Sequence, residues 1–125
     1  MARDRLRSFF FGFISNVNGN EAQYNRQLAR LIASAKSNIL VMAGELSANV
    51  MLNDKVKAAI KEVTTREENP VKIDILCGPE APQSSVDALS SISGNVTITK
   101  LSIRPKAHFF VVDGKHVRVE EFHAP

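Results

Sequence analysis

Residues 106–123 read KAHFFVVDGKHVRVEEFH and are the part of the chain that decides its fold. The Asp113-Gly114 pair supplies the positive backbone angles that a tight hairpin turn requires. The apolar segments on either side, residues 109–112 and 117–119, have the composition of β-strands. The sequence therefore predicts a β-hairpin near the C-terminus.

Four of the ionisable side chains on this predicted hairpin are candidates for a common site. Successive residues of a strand point to opposite faces, so Lys106 and His108 share one face of the first strand. Glu121 and His123 share one face of the second strand for the same reason. If the two faces coincide, the four groups converge on a polar pocket near the ligand-binding edge of the sheet.

The pocket hypothesis also assigns the apolar residues of the first strand. Phe110 and Val112 are expected to continue the face of Lys106 and His108 into the core. Phe109 and Val111 are expected to pack on the other face, under a helix, so that both faces of the strand are covered.

The spacing of these residues resembles the signature of the phospholipase D superfamily, in which His-x-Lys and then four residues precede an Asp, and a Gly-Ser-x-Asn element follows. Lys106, His108 and Asp113 have the spacing of the first element, and the second would begin seven residues after Asp113. Only Asp113 keeps the family's residue. The family's nucleophilic His is replaced by Lys106, its phosphate-binding Lys by His108, its Ser by Glu121 and its Asn by His123.

The resemblance implies a phosphate site with altered chemistry. In the family one His attacks phosphorus, a second His protonates the leaving group, and Lys and Asn side chains bind the phosphoryl oxygens. The protonated amine of Lys106 is not a nucleophile, and Glu121 adds a negative charge that repels a phosphodiester. We therefore expect a catalytically degenerate domain that serves as a binding, sensing or assembly module for a phosphate-bearing ligand. The predicted ligand-binding residues are Lys106, His108, Asp113, Glu121 and His123.

Two other functions remain open at this point. A divergent phosphodiesterase or nuclease would use His108 or His123, with Glu121 as a further candidate catalytic group. A purely structural dimerisation domain would bind no ligand. His108, Glu121 and His123 also form a possible two-histidine, one-carboxylate metal set, but nothing in the sequence enforces their convergence, so no metal or other cofactor is predicted.

Composition predicts one domain over residues 1–125, because 125 residues with 44% hydrophobic content suffice for a single core. A net charge of +3 tolerates phosphate-bearing partners but is far below that of an Arg/Lys-rich nucleic-acid binder. Lys100, Arg104 and Lys106 could line a basic rim. Without interleaved exposed aromatic residues, the signal for nucleic-acid binding is weak.

The single cysteine, Cys77, rules out an internal disulfide and is compatible with the cytoplasm, which is the predicted location. Because it ends an apolar strand, Cys77 is predicted to be a core residue and not a reactive thiol. No apolar run reaches the length needed to span a bilayer, so no transmembrane segment is predicted.

The rest of the chain alternates between strand and helix patterns. Helical periodicity predicts helices over residues 20–37, 53–67 and 84–92, and apolar or alternating runs predict strands over residues 9–14, 38–43, 71–77 and 96–99. The strands over 38–43 and 71–77 are apolar enough to be covered on both faces. The order predicts an α/β fold with a mixed, mainly parallel sheet flanked by helices and ending in the hairpin.

This order of elements resembles one phospholipase D-like half-domain. In the family two half-domains face each other to build one site, so the resemblance implies a homodimer or a second half-domain as partner. More sequence follows the Ser-Asn element in the family than the two residues that follow His123 here. The resemblance therefore implies either a shortened variant or a fragment of a longer protein.

Overall fold

The computed structural model describes residues 21–44, 51–106 and 109–117 of the chain. Three helices and five strands occur there, in the order α1 (Glu21–Ala33), β1 (Asn38–Ala43), α2 (Asp54–Thr64), β2 (Lys72–Cys77), α3 (Gln83–Ser90), β3 (Val96–Lys100), β4 (Phe109–Val112) and β5 (Lys115–Val117). The predicted α/β class is confirmed. The strand predicted over residues 9–14 lies outside the described residues.

The strands form one sheet in the order β3-β2-β1-β4-β5. β2 pairs in parallel with both β1 and β3, whereas β4 pairs antiparallel with both β1 and β5. The sheet is therefore mixed, as predicted, but parallel pairs do not outnumber antiparallel ones in the described part. Helical crossovers keep β1, β2 and β3 parallel, and the chain then returns to β1 from β3 without a helix and in the opposite direction.

One face of the sheet carries its buried side chains. They are Ile39, Val41, Ala43, Ile73, Ile75, Cys77, Val96, Phe110 and Val112. These residues form one core with the apolar stripes of the helices, including Leu28 of α1, Ile60 of α2 and Leu89 of α3. Burial of this common apolar surface is the main source of the fold's stability.

The opposite face of the sheet is less covered. Its apolar members Leu40, Met42, Leu76, Phe109 and Val111 are half-buried, and its polar members Lys72, Asp74, Thr97 and Thr99 are exposed. The prediction that β1 and β2 are covered on both faces is therefore wrong for β2, where Lys72 and Asp74 face outward. Phe110 and Val112 lie in the core as expected, whereas Phe109 and Val111 lie on the face away from the described helices.

Each of the three described helices ends earlier than its periodicity predicted, α1 at Ala33 instead of residue 37 and α3 at Ser90 instead of residue 92. Helix α2 begins where the Oδ1 of Asn53 accepts the N–H of Lys55 at 2.9 Å, and it ends at Thr64 instead of Glu67. Arg66 then turns back toward α1 and donates to the carbonyl oxygens of Ala35 at 2.8 Å and Ala33 at 3.1 Å. A cation at these last carbonyls stabilises the C-terminus of α1.

The connection between β3 and β4 passes over one end of the strands. We call this end the carboxyl edge, because the parallel strands β1, β2 and β3 all end there. β3 and β4 lie on opposite sides of the pair β2-β1, so the chain that leaves β3 at Lys100 must cross the carboxyl ends of β2 and β1 to reach β4. We call the described part of this connection, residues 101–106, the crossover loop. It runs along the edge at which parallel α/β sheets bind ligands.

No helix within the described ranges combines the length and the apolar character that a membrane span requires.

Candidate functional site

The carboxyl edge of the sheet is tightly packed around Gly78, which directly follows β2. The N–H of Gly78 donates to the carbonyl oxygen of Gly44 at 3.0 Å, and the N–H of Leu101 donates to that of Cys77 at 2.7 Å. A Cβ on Gly78 would lie 2.7 Å from the oxygen of Gly44 and 3.4 Å from the Cα of Arg104. The absence of a side chain at residue 78 therefore lets three backbone segments meet at this edge.

Three cations lie along the same edge. Lys100 ends β3, Arg104 packs over Gly78 at the end of β2, and Lys106 follows on the way to β4; all three are exposed. Because neighbouring strands are about 4.8 Å apart, the loop distributes these charges across the edge instead of stacking them at one point. Exposed Glu80, in the loop after β2, is the nearest acidic residue in sequence to Gly78. The basic rim proposed from the sequence is thus present on one edge of the fold.

Helix α3 begins close to this edge. Its first residue, Gln83, follows Gly78 by five positions, and the N-cap residue is Pro82, which makes no side-chain capping hydrogen bond. No acidic residue occupies the first turn. Backbone N–H groups at a helix N-terminus favour negative charge, so α3 adds to the positive potential at the edge.

Cys77 belongs to the core and not to the site. Its side chain is fully buried, and its Sγ donates to the carbonyl oxygen of Thr99 at 3.7 Å. Burial raises the pKa of the Cys77 thiol, and the positive charge of Lys100 offsets this only in part. A protonated, buried thiol is unreactive, which agrees with the interpretation of Cys77 from the sequence.

Asp113 lies in the turn between β4 and β5, at the edge opposite the carboxyl edge, where β1 and β2 begin. Its carboxylate accepts the backbone N–H groups of Lys36 at 2.9 Å, Ser37 at 2.7 Å and Asn38 at 3.2 Å, as well as the hydroxyl of Ser37 at 2.9 Å. Burial by itself raises the pKa of Asp113, but these donors outweigh it and hold the pKa below its ordinary value. The φ angles of Asp113 and Gly114 are 53° and 80°, as the Asp-Gly pair predicted.

These contacts place Asp113 far from Lys106, which is the other predicted ligand-binding residue that the structure describes. Asp113 adjoins Asn38 at the start of β1, whereas Lys106 lies beyond the end of that strand. A strand of six residues spans about 20 Å, so the two side chains do not meet at one ligand. Asp113 is therefore not part of the candidate site, because its carboxylate already accepts hydrogen bonds from the backbone N–H groups of residues 36–38.

The remaining predicted site residues, His108, Glu121 and His123, lie outside the described residues. The four-residue pocket and the two-histidine, one-carboxylate metal set therefore stay predictions. Within the parts of the chain that the structure describes, no group of three or more His, Cys, Asp or Glu residues is placed to hold a metal ion.

Sequence reasoning missed the close backbone approach at Gly44 and Gly78. The available signal was a glycine directly after each of two apolar strands, a position where parallel strands end together.

No known family model matches the chain, and no curated protein matches it. The resemblance to the phospholipase D superfamily thus rests on the residue spacing described above.

Proposed function

We propose that this chain is a degenerate phospholipase D-like domain that binds a phosphate-bearing ligand at the carboxyl edge of β1, β2 and β3. The observation that supports this function is the row formed by Lys100, Arg104 and Lys106 on the edge where α/β sheets bind ligands. A second copy or a second half-domain, which the resemblance implies as partner, belongs to the same proposal.

The three cations suit phosphate for distinct reasons. The planar guanidinium of Arg104 can donate two parallel hydrogen bonds to phosphate oxygens, whereas Lys100 and Lys106 act as point charges. The N-terminus of α3 offers backbone donors near the same edge. Because the three side chains are exposed, solvent and salt screen them, and binding should weaken as ionic strength rises.

Binding is favoured over hydrolysis by the residue at the nucleophile position. Lys106 occupies the position that the nucleophilic His has in the phospholipase D superfamily, which the sequence resembles. The side chain of Lys106 is exposed. A lysine becomes a nucleophile when burial or a neighbouring charge removes its proton. An exposed ammonium group can bind a phosphoryl oxygen but does not attack phosphorus.

We expect pyrophosphate to bind the natural chain, with the affinity reduced at least about tenfold when Lys100, Arg104 and Lys106 are all replaced by Gln. Isothermal titration calorimetry at low and high salt would measure this change. The matched control is the triple replacement of Lys36, Lys72 and Lys115 by Gln, which removes the same charge from exposed residues at the opposite edge. Equal losses in the two variants would show that only net charge matters, and the proposed edge would be wrong.

Hydrolysis of bis(p-nitrophenyl) phosphate is expected to be absent or very slow, because no activated nucleophile takes the place of the family's His. A continuous absorbance assay on protein purified through two orthogonal columns measures it. Turnover that survives this purification and disappears in His108→Ala or His123→Ala would instead support the divergent phosphodiesterase. A protein that neither binds pyrophosphate nor turns over the ester would leave the structural dimerisation domain.

A further inference from the structure

β3 is the outer strand on one side of the sheet in the described part of the chain, because β2 pairs with one side of it and no described strand pairs with the other. The carbonyl oxygen of Asn95 and the N–H of Leu101, which flank β3, both bond to β2. Backbone direction alternates along a strand, so the odd-numbered residues of β3 point toward β2. The backbone groups of residues 96, 98 and 100 therefore point away from the sheet.

This outer side of β3 has few of the features that keep strands from pairing. Natural sheets protect an exposed edge with proline, a bulge, inward charges or a covering segment. β3 contains no proline and pairs with β2 without interruption over its length, and its one charge, Lys100, occupies the last position. Among its outward backbone groups, the N–H of Val96 is the one with a partner in the described ranges, the carbonyl oxygen of Ser93 at 3.3 Å. The edge is thus able to accept a further strand.

The side chains of β3 are complementary to those of a second copy of the same strand. In an antiparallel pair centred on Ile98, this residue exchanges both backbone hydrogen bonds with Ile98 of the partner subunit. Thr97 then lies directly opposite Thr99 of the partner subunit, and cross-strand threonine pairs are favourable. Ile98 is half-buried, whereas its neighbour Ile75 on β2 is fully buried. The second copy would cover the exposed side of Ile98.

The charges at the two ends of β3 also favour a second copy. Helix α3 packs against β3, ends shortly before β3 begins and has no basic residue in its last turn, so the negative end of its dipole lacks a nearby cation on its own helix. Lys100 is in register with buried Cys77 and therefore shares the helix side of the sheet. An antiparallel pair keeps the helices of both copies on one side. It places Lys100 beside Val96 of the partner subunit, close to the end of the partner's α3.

We propose that β3 is a homodimerisation edge, at which two copies pair antiparallel about Ile98 and continue one sheet through both subunits. This surface differs from the shared site that the phospholipase D resemblance implies, because the two carboxyl edges point to opposite ends of the joined sheet. The inference therefore does not depend on the proposed function. One short strand buries less than the about 800 Å² per partner of a standard interface, so we expect a dissociation constant on the order of 10–100 μM.

Amide hydrogen exchange of the full chain tests the pairing residue by residue. The N–H groups of Ile98 and Lys100 should exchange about fivefold more slowly at about 1 mM protein than at about 10 μM, because only the dimer protects them. Those of Thr97 and Thr99 point toward β2 and should be equally protected at both concentrations. Protection of Ile98 and Lys100 that does not depend on concentration would show that the same chain covers this edge, and would overturn the inference.

Two double variants test the register. Thr97 and Thr99 are exposed on the face away from the helices, so their replacement leaves the core intact. Replacing both by Lys places like charges opposite each other, and we expect the dissociation constant in sedimentation equilibrium to rise at least about tenfold. The matched control, Thr97→Lys with Thr99→Glu, places opposite charges across the pair and should dimerise at least as tightly as the natural chain. Because its net charge is unchanged, its binding of pyrophosphate should be unchanged too.

The possible outcomes separate this interface from the phosphate site. A natural chain that is monomeric at about 1 mM overturns the inference. So do equal losses of dimer in the two double variants, and so does a dimer that neither variant weakens, which would point to the carboxyl edge as the interface. A dimer with the expected response to both variants but without pyrophosphate binding would contradict the proposed function alone.

Discussion

Asp113→Asn is expected to lower the free energy of unfolding by about 2 kcal/mol. Asparagine tolerates the φ of 53° at this position, so the turn itself can form. The variant lacks the negative charge and one of the two acceptor oxygens that receive the N–H groups of residues 36–38. Its amide N–H₂ would also face those donors. Urea unfolding at neutral pH, monitored by circular dichroism, measures the difference.

The same contacts predict how this difference depends on pH. Burial by itself raises the pKa of Asp113, but the hydrogen bonds from Ser37, Lys36 and Asn38 outweigh it, so the folded pKa lies below the ordinary value of 3.8. A carboxyl group of this kind contributes stability that is present above its unfolded pKa and is lost as the pH falls through the folded pKa. The gap between the natural chain and Asp113→Asn should be constant above about pH 5 and shrink below about pH 4.

A smaller substitution checks that the carboxylate, and not the loop around it, is responsible. Ser37→Ala removes one donor, the hydroxyl at 2.9 Å, but keeps the backbone N–H groups, so we expect a loss of about 0.5–1 kcal/mol. A gap for Asp113→Asn that persists unchanged into acid, or that is no larger than that of Ser37→Ala, would contradict the proposed role of the charge.

Gly78→Ala is the second substitution with a large expected effect, a destabilisation of about 2–3 kcal/mol. The added Cβ would lie 2.7 Å from the carbonyl oxygen of Gly44, which is backbone and cannot rotate away. Relief of this overlap requires the ends of β1 and β2 to separate, and the hydrogen bond from Gly78 to Gly44 would weaken. Because Arg104 packs on the same residue, pyrophosphate binding is expected to weaken too.

Gly94→Ala is the matched control for Gly78→Ala. No atom lies within 4 Å of a Cβ at residue 94, so this variant is expected to be neutral or more stable by up to about 1 kcal/mol. Gly114→Ala also has open space but a φ of 80°, and it should cost about 1 kcal/mol through backbone strain alone. Thermal unfolding of the three variants ranks them, and a Gly78→Ala protein as stable as Gly94→Ala would contradict the packing described at the edge.

The elements that sequence reasoning located correctly are those with a strong local cause. The apolar run at residues 38–43 forms β1, and the periodic segment after Asn53 forms α2. Positive φ angles at Asp113 and Gly114 follow from the pair itself, because these two residues tolerate that region of backbone space better than others. Each of these features depends on residues that are close in the sequence.

The error in the length of the first helix has long-range causes. Periodicity extends the first helix toward Ser37, but α1 ends at Ala33, and the backbone N–H groups of residues 36–38 bind a carboxylate more than 70 positions away. Its last carbonyls are bound by Arg66, from the segment after α2. A helix end is decided by whichever partner satisfies its free backbone groups, and here both partners come from distant segments.

The candidate site also has one part that the sequence could predict and one part that depends on contacts between distant segments. The cations at residues 100, 104 and 106 could be named from the sequence, and so could a ligand site beyond the carboxyl ends of the strands. Their distribution along that edge depends on the strand order, in which β4 joins the far side of β1 and draws the crossover loop over the ends of β2 and β1. Strand order is a property of pairing between distant segments, which periodicity does not report.

By itself, the sequence determined the class of fold, the approximate position of each described helix and strand, and the left-handed turn at Asp113-Gly114, because local side-chain chemistry sets hydrophobic period and backbone preference. The tertiary structure alone decided which sheet face meets the helices and where α1 ends. It also decided that Asp113 binds the backbone at the edge opposite Lys106. The physical reason is that β4 runs from the carboxyl edge of the sheet to the opposite edge. Lys106 precedes this strand and Asp113 follows it, so the two residues are separated by the length of the strand although they are seven positions apart in the sequence.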